Sequence, residues 1–220
     1  MRSATYLPLL AGIAAACSIT RNVKTTFYGV PDNDPAGSDA IAYSCSARGY
    51  HAGGVGTYND PLTFASKQGS GYRQCEIVYF PYLKKYIRNE DICASCSEYL
   101  LCALSLKTNT AEWVDVFTGN SQNGGAGQVN CENQLTPNAA QTVIRDPATN
   151  LEVDTTPLWI SGTCNTGHVY HNNNAANYCG GNPNPNPTCQ TGCSWAGHCT
   201  VPSPERDGWE QAKHMSSVGY

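Results

Sequence analysis

The sequence predicts a mainly β, disulfide-stapled secreted domain, and three observations predict it. Short runs of β-branched and aromatic residues alternate with Gly, Pro, Asn and Asp clusters, as strands and turns do. Twelve cysteines stand in 220 residues. An apolar run close to the N-terminus follows a positive start, the pattern of a secretory signal, and an oxidising exterior turns such a cysteine count into a disulfide framework.

That start is Met1-Arg2, followed by the apolar residues 7–16 (LPLLAGIAAA) with small side chains at Ala14 and Ala16. The run is too short to span a bilayer as a helix. Residues 1–18 are therefore expected to be a signal peptide and the mature chain to begin near Ser18 to Lys24, extracellular and off the membrane. Cleavage after Ala16 keeps Cys17 and leaves an even set of twelve cysteines, whereas cleavage beyond it leaves eleven and an odd thiol. Spacing alone does not choose the pairing. Cys93-Ala94-Ser95-Cys96 is a C-x-x-C, but with no second pair or His pair at finger spacing it reads as a structural disulfide.

Only 14% of residues are charged and the net charge is −4, so no basic patch is available to neutralise phosphates and nucleic acid is excluded as a partner. An apolar fraction of 40% supports one modest core. Along the chain, residues 24–29 (KTTFYG) predict a strand stopped by glycine, and 30–39 (VPDNDPAGSD) predict a loop. Residues 40–44 are a candidate short strand, 51–60 (HAGGVGTYND) a flexible stretch, and 61–67 (PLTFASK) a helical turn or a strand. Residues 75–80 (CEIVYF) and 84–89 (KKYIRN) flank Pro81 as a hairpin. A short helix is expected over 96–106, a strand over 112–118 (EWVDVFT) and an open loop over 119–127 (GNSQNGGAG). A helical turn at 137–141 and strands at 142–145 and 157–160 complete the barrel-sized region, 24–161. After residue 162 the texture turns Asn- and Gly-rich, with the low-complexity piece 182–187 (NPNPNP). Residues 162–200 are expected to form a cysteine-rich tail module and 201–220 a flexible end.

The order of these runs carries a resemblance. Thr25-Thr26-Phe27-Tyr28-Gly29 resembles the opening T-x-Y-G strand of expansins and rare-lipoprotein-A proteins, and Cys75-Glu76-Ile77-Val78-Tyr79 resembles their central strand. Residues 87–93 (IRNEDIC) resemble the strand that carries an Asp, and Trp113-Val114-Asp115-Val116 resembles the hydrophobic-Asp-hydrophobic strand of the same group. Over residues 25–160 the resemblance implies a six-stranded double-psi β-barrel, the fold of expansins, barwin, family 45 endoglucanases and some lytic transglycosylases, here with disulfide-rich loops and a small cysteine-rich C-terminal extension. Residues 78–86 (VYFPYLKKY), 154–158 (DTTPL) and 193–199 (CSWAGHC) are similar to segments of fungal secreted proteins. Ile92-Cys93-Ala94 stands where rare-lipoprotein-A-like proteins have Arg-Gly-Pro, and neither His-Phe-Asp nor Thr-Thr-Arg-Tyr-Trp-Asp is present.

The resemblance implies a cleft acid at Asp115 and a second acidic residue at Asp91, with Asp32, Asp34 and Asp39 as outside candidates. Glycosidic cleavage needs a proton for the leaving oxygen, and one carboxyl of raised pKa can supply it. Of the aromatics, Tyr28, Tyr58, Tyr82 and Trp113 are the candidates for stacking on sugar rings, while others fill the core. The expected function is a secreted carbohydrate-active protein that binds, and cleaves or loosens, cell-wall polysaccharide; the alternative is a non-catalytic binding module or effector. A monomer without metal or cofactor is expected. His168 and His171 are spaced for a metal only on a helix, which the Asn-rich setting disfavours.

Overall fold

A computed structural model describes residues 17–97, 112–119 and 121–179. Residues 1–16 of the expected signal segment, nearly all of the helix expected over 96–106, most of the expected tail module and Cys102, Cys189, Cys193 and Cys199 lie outside the described residues.

Six strands close into a barrel: β1 (Ser18–Tyr28), β2 (Leu62–Ser66), β3 (Ile77–Phe80), β4 (Lys85–Ile92), β5 (Trp113–Phe117) and β6 (Gln141–Arg145). Their order around the barrel is β1-β5-β2-β4-β3-β6, closed by β6 on β1. β1 with β5 and β2 with β4 are parallel, and the other four pairs are antiparallel. The mainly β barrel expected from the sequence is thus present.

Alternation along the strands separates two faces. Phe27, Val116 and Phe64 occupy one register row and are buried with Val78, Phe80, Leu83, Ile87 and Val143 in the main core. A smaller cluster of Ile19, Tyr79, Tyr86, Ile144, Ala175 and Cys179 packs separately. α1 (Gly125–Leu135) lies against β1.

Several elements differ from the sequence expectation. β1 begins at Ser18, not Lys24; its first half pairs antiparallel with β6 and, past an irregularity at Asn22 (φ 60°), its second half pairs parallel with β5. Residues 40–44 supply only an isolated bridge, Ala40 to His51, and 61–67 resolve as strand β2. The loop expected over 119–127 gives way to α1 at Gly125. The strand expected at 157–160 is reduced to β7 (Trp159–Ile160), which pairs with β8 (Thr163–Cys164) outside the barrel.

All eight described cysteines are paired, as Cys17–Cys179, Cys45–Cys75, Cys93–Cys96 and Cys131–Cys164. A chain holding the first of these must retain Cys17. The described start of the tail is joined to the barrel rather than standing apart. Tyr170 N–H donates to Tyr82 O (2.7 Å), Asn173 Nδ2 donates to Pro81 O (2.7 Å), and Cys164 and Cys179 are bonded to α1 and to the residue before β1. His168 and Tyr170 both reach Asp154 Oδ2 at 2.7 Å, and the His171 ring lies edge-on to Tyr82. Among the described residues no helix is long and apolar enough to cross a membrane.

Candidate acid site

The C-terminal end of β1 touches four carboxyl groups within four residues. Thr26 Oγ1 donates to Asp115 Oδ1 at 2.7 Å and itself accepts from Trp113 Nε1 at 2.9 Å. The Tyr28 hydroxyl donates to Asp91 Oδ2 at 3.3 Å, and Gly29 N donates to Asp32 Oδ1 at 3.0 Å. A Cβ built on Gly29 would fall 2.5 Å from Glu132 Oε1 and 2.0 Å from Gln128 Nε2, so only glycine lets α1 come this close to the strand.

Register explains why two of these acids meet. Thr26 pairs with Asp115, Asp115 with Ala65, and Ala65 with Asp91, so the four residues form one row across β1, β5, β2 and β4. The β2–β4 register shifts between Phe64 and Ala65, which brings Asp91 rather than Glu90 opposite Ala65. Glu90 is bound by Arg48 (2.9 Å), Arg88 (2.7 Å) and Thr63 (2.6 Å) and is consumed as a buried structural anion. With one strand between them, Asp115 and Asp91 have Cα atoms about 10 Å apart.

Burial dominates the electrostatics. Asp115, half-buried, has its carboxyl pushed up to about 6 by desolvation; the Thr26 hydrogen bond opposes the shift and the charges of Asp32 and Asp91 add to it. Cys93 Sγ of the Cys93–Cys96 disulfide lies 3.9 Å from Asp115 Oδ2, supplying a weakly polar wall. Asp91 is also raised by burial, against the pull of the Ile92 N–H (2.8 Å), the Ala42 N–H (3.0 Å) and Tyr28. Tyr28, buried beside two carboxylates, is held well above the usual phenol range. Glu132 goes furthest among the acids, to about 8, through burial first and then the charges of Asp32 and Asp115.

The expected site residues separate on this geometry. Asp115 and Asp91 share the acid row. Asp32 joins them from the loop after β1, and Asp34 is close enough to add to the rise of Asp91; Asp39 pairs instead with His51 at 2.8 Å. Trp113 is half-buried, with Lys24 Nζ 3.4 Å from its ring centroid, and lines a cavity of about 530 Å³ together with Lys24, Thr26, Lys67, Cys96 and Pro137. Two tyrosines do not take the stacking role expected of them. Tyr82 is 2% exposed and spends its hydroxyl on Leu135 O (2.8 Å), so it belongs to the core. Tyr28 is equally enclosed and reaches the site by its hydroxyl, not its ring face. Tyr58 packs edge-on against Tyr86 at 5.3 Å in the smaller cluster.

Glu132 was not foreseen. Gln128, Cys131, Glu132 and Leu135 are the buried residues of α1, spaced i, i+3, i+4, i+7, but two of the four are polar and an apolar-periodicity reading passes over them. The signal that could have found it is that spacing, set behind a glycine pair and carrying a cysteine. Among the described residues no group of three His, Cys, Asp or Glu side chains is placed to hold a metal ion.

Residues 20–165 match the model of the DDB_G0273701 N-terminal domain family, a span that runs from Thr20 in β1 through the other five barrel strands, α1 and β8. The chain is also similar to the Dictyostelium discoideum protein DDB_G0273701/DDB_G0273221, with 32% identity over 168 residues, covering 74% of this chain and 68% of that protein. No solved structure matches the chain. The chain therefore belongs to the DDB_G0273701 N-terminal domain family, matched from Thr20 in β1 through β8 with the acid row inside the match.

Proposed function

We propose that this chain is a secreted carbohydrate-active protein that binds cell-wall polysaccharide and cleaves it with Asp115 as general acid. The observation that carries the reading is a half-buried carboxyl raised to about 6, hydrogen-bonded by Thr26 and Trp113 in series, beside further carboxylates. A carboxyl of that kind is protonated for much of the time in mildly acidic surroundings and can deliver its proton to a glycosidic oxygen. Asp91 assists through its charge, which helps to keep Asp115 protonated. Its place on the same register row, one strand away, sets a second carboxylate beside Asp115, and glycosidic hydrolysis uses two. Asp32, exposed, is a carboxylate of the site that bulk water reaches. The cavity lined by Trp113 supports the binding half of the reading, because Thr26, which lines it, also holds Asp115. The disulfide pairing of all eight described cysteines supports export. The likeness of 25–29 and 113–116 to expansin and rare-lipoprotein-A strands supports a glycan as the partner.

The test is incubation with cellulose, chitin, β-glucan and peptidoglycan, followed by mass analysis of the soluble products. Release is expected from at least one substrate and should fall at least a hundredfold in Asp115→Asn, the usual size of a lost general acid. Undiminished release by the variant removes Asp115 from the mechanism. Binding without release leaves a glycan-binding module in place of an enzyme.

A further inference from the structure

Glu132 poses a problem that the general acid does not solve. It is 3% exposed, and neither carboxylate oxygen has a hydrogen-bond partner as an ionised group. The group within hydrogen-bonding reach is another acceptor, the carboxylate of Asp32. Two ionised carboxylates in that position, one of them buried, repel each other and leave buried lone pairs unpaired; a proton between them removes both penalties at once. Among the described residues no cation bears on Glu132 instead. α1 carries no other charged residue, the Asp115 carboxyl is the other charged group bearing on Glu132, and His168, on the 3-10 turn packed against α1, is bonded to Asp154. Gln128, one turn before Glu132, donates from Nε2 to Thr118 Oγ1 (2.8 Å) and accepts at Oε1 from Gly124 N (3.0 Å), and it makes no hydrogen bond to Glu132.

We propose that Glu132 and Asp32 hold one proton between them, and that Glu132 is thereby a positioning residue of the acid site that fixes the exposed Asp32 carboxylate next to Asp115. The positioning role rests on the catalytic reading above; the shared proton does not. With Gly29 N–H donating to Oδ1 and the Glu132 hydroxyl donating to the same carboxylate, Asp32 is held on its protein side and turns its remaining lone pairs to solvent. The pair then presents one negative charge to Asp115 rather than two. The raised position of Glu132, about 8, fits a group that keeps this proton through neutral pH. The strongest structural alternative, a glutamate buried for packing alone, is served better by glutamine or leucine at the same place.

The experiment is a carboxyl-carbon NMR titration of the full chain labelled with ¹³C at Asp and Glu, for the wild type, Asp32→Asn and Glu132→Gln, with circular dichroism to verify the fold. A Glu132 step near pH 8 is expected in the wild type; it should move down by at least about one pH unit in Asp32→Asn and vanish in Glu132→Gln. Since the amide keeps a donor toward Asp32 and adds no charge, the Asp115 midpoint should hold in Glu132→Gln and fall in Asp32→Asn. A Glu132 carboxyl titrating in the ordinary range, or one unmoved by Asp32→Asn, overturns the shared proton. Because glycan release plays no part in these readings, a failed cleavage assay beside an intact Glu132 step overturns the catalytic role and supports the pair.

Discussion

Gly29 is the residue on which the site depends most directly. Its amide fixes Asp32, and the hydrogen in place of a side chain admits Gln128 and Glu132 to the strand. In Gly29→Ala the new methyl would meet Gln128 at 2.0 Å and Glu132 at 2.5 Å, and Gln128 cannot yield without losing Thr118 and Gly124. A loss of roughly 1 to 3 kcal/mol is expected, the usual cost of overpacking. Urea denaturation measures it, and an unchanged midpoint would show that α1 can withdraw freely from β1. The neighbouring carboxylates divide by what binds them. Glu90 between two arginines and Glu76 against Arg145 (2.5 Å) are neutralised structural anions, whereas Asp115 and Glu132 lack a cation and rise.

At the scale of elements, α1 is the part that the sequence hides. Its first turn contains Gly125 and Gly127, no side chain caps it, and its buried face is half polar, so propensity and periodicity both argue against a helix there. The helix is held by other means: the Cys131–Cys164 bond to β8, Leu135 in the core, and Gln128 hydrogen-bonded across to Thr118. Gly124 and Gly127 give the Trp159 ring of β7 its place, with a built Cβ on Gly124 only 2.7 Å from the indole. Replacing Cys131 and Cys164 together by Ala should cost roughly 3 to 4 kcal/mol, from a closed loop spanning a sequence separation of 33. The loss should be concentrated in α1, read as accelerated amide hydrogen exchange there with β2 and β4 still protected; uniform acceleration across the barrel would contradict this. β1, by contrast, was legible in its second half, where Thr, Phe and Tyr alternate. Its first half was hidden by its position beside the apolar run 7–16, and pairing with β6 identifies it as strand.

For the whole molecule, the balance of titrating groups fixes how stability responds to pH. Asp115 and Glu132 are carboxyls raised in the fold, so the stability they allow is full below their unfolded values, near pH 4, and is lost as pH rises toward about 6 and about 8. Glu76 runs the other way: burial works against its charge, but the Arg145 guanidinium and the Arg73 N–H hold it below the usual range, so its contribution is lost as pH falls. Lys85, buried against the carbonyls of Val55 and Asp154 and lowered to about 8, adds stability only as pH rises past that value. Stability is therefore expected to decline between about pH 5 and pH 8, by at most roughly 1.4 kcal/mol per pH unit for each raised carboxyl. In Glu132→Gln the decline should flatten, as urea midpoints across that range will show; an identical slope in the variant would mean that Glu132 does not carry it.

By itself the sequence determined a β-rich, cysteine-stapled chain, its hairpin over β3 and β4, the strand carrying Asp115, and the candidacy of Asp115 and Asp91. Those features are written in contiguous residues, as alternation, turn chemistry and cysteine count. Tertiary structure decided which carboxyls meet, because strand order and a single register shift put Asp91 on the row of Asp115 and sent Glu90 to the arginines. It also decided that Tyr82 and Tyr28 are enclosed and that Glu132, 103 residues after Gly29 in the sequence, presses against it. Such contacts depend on parallel pairings and on a helix docked across the chain, and no local pattern encodes them.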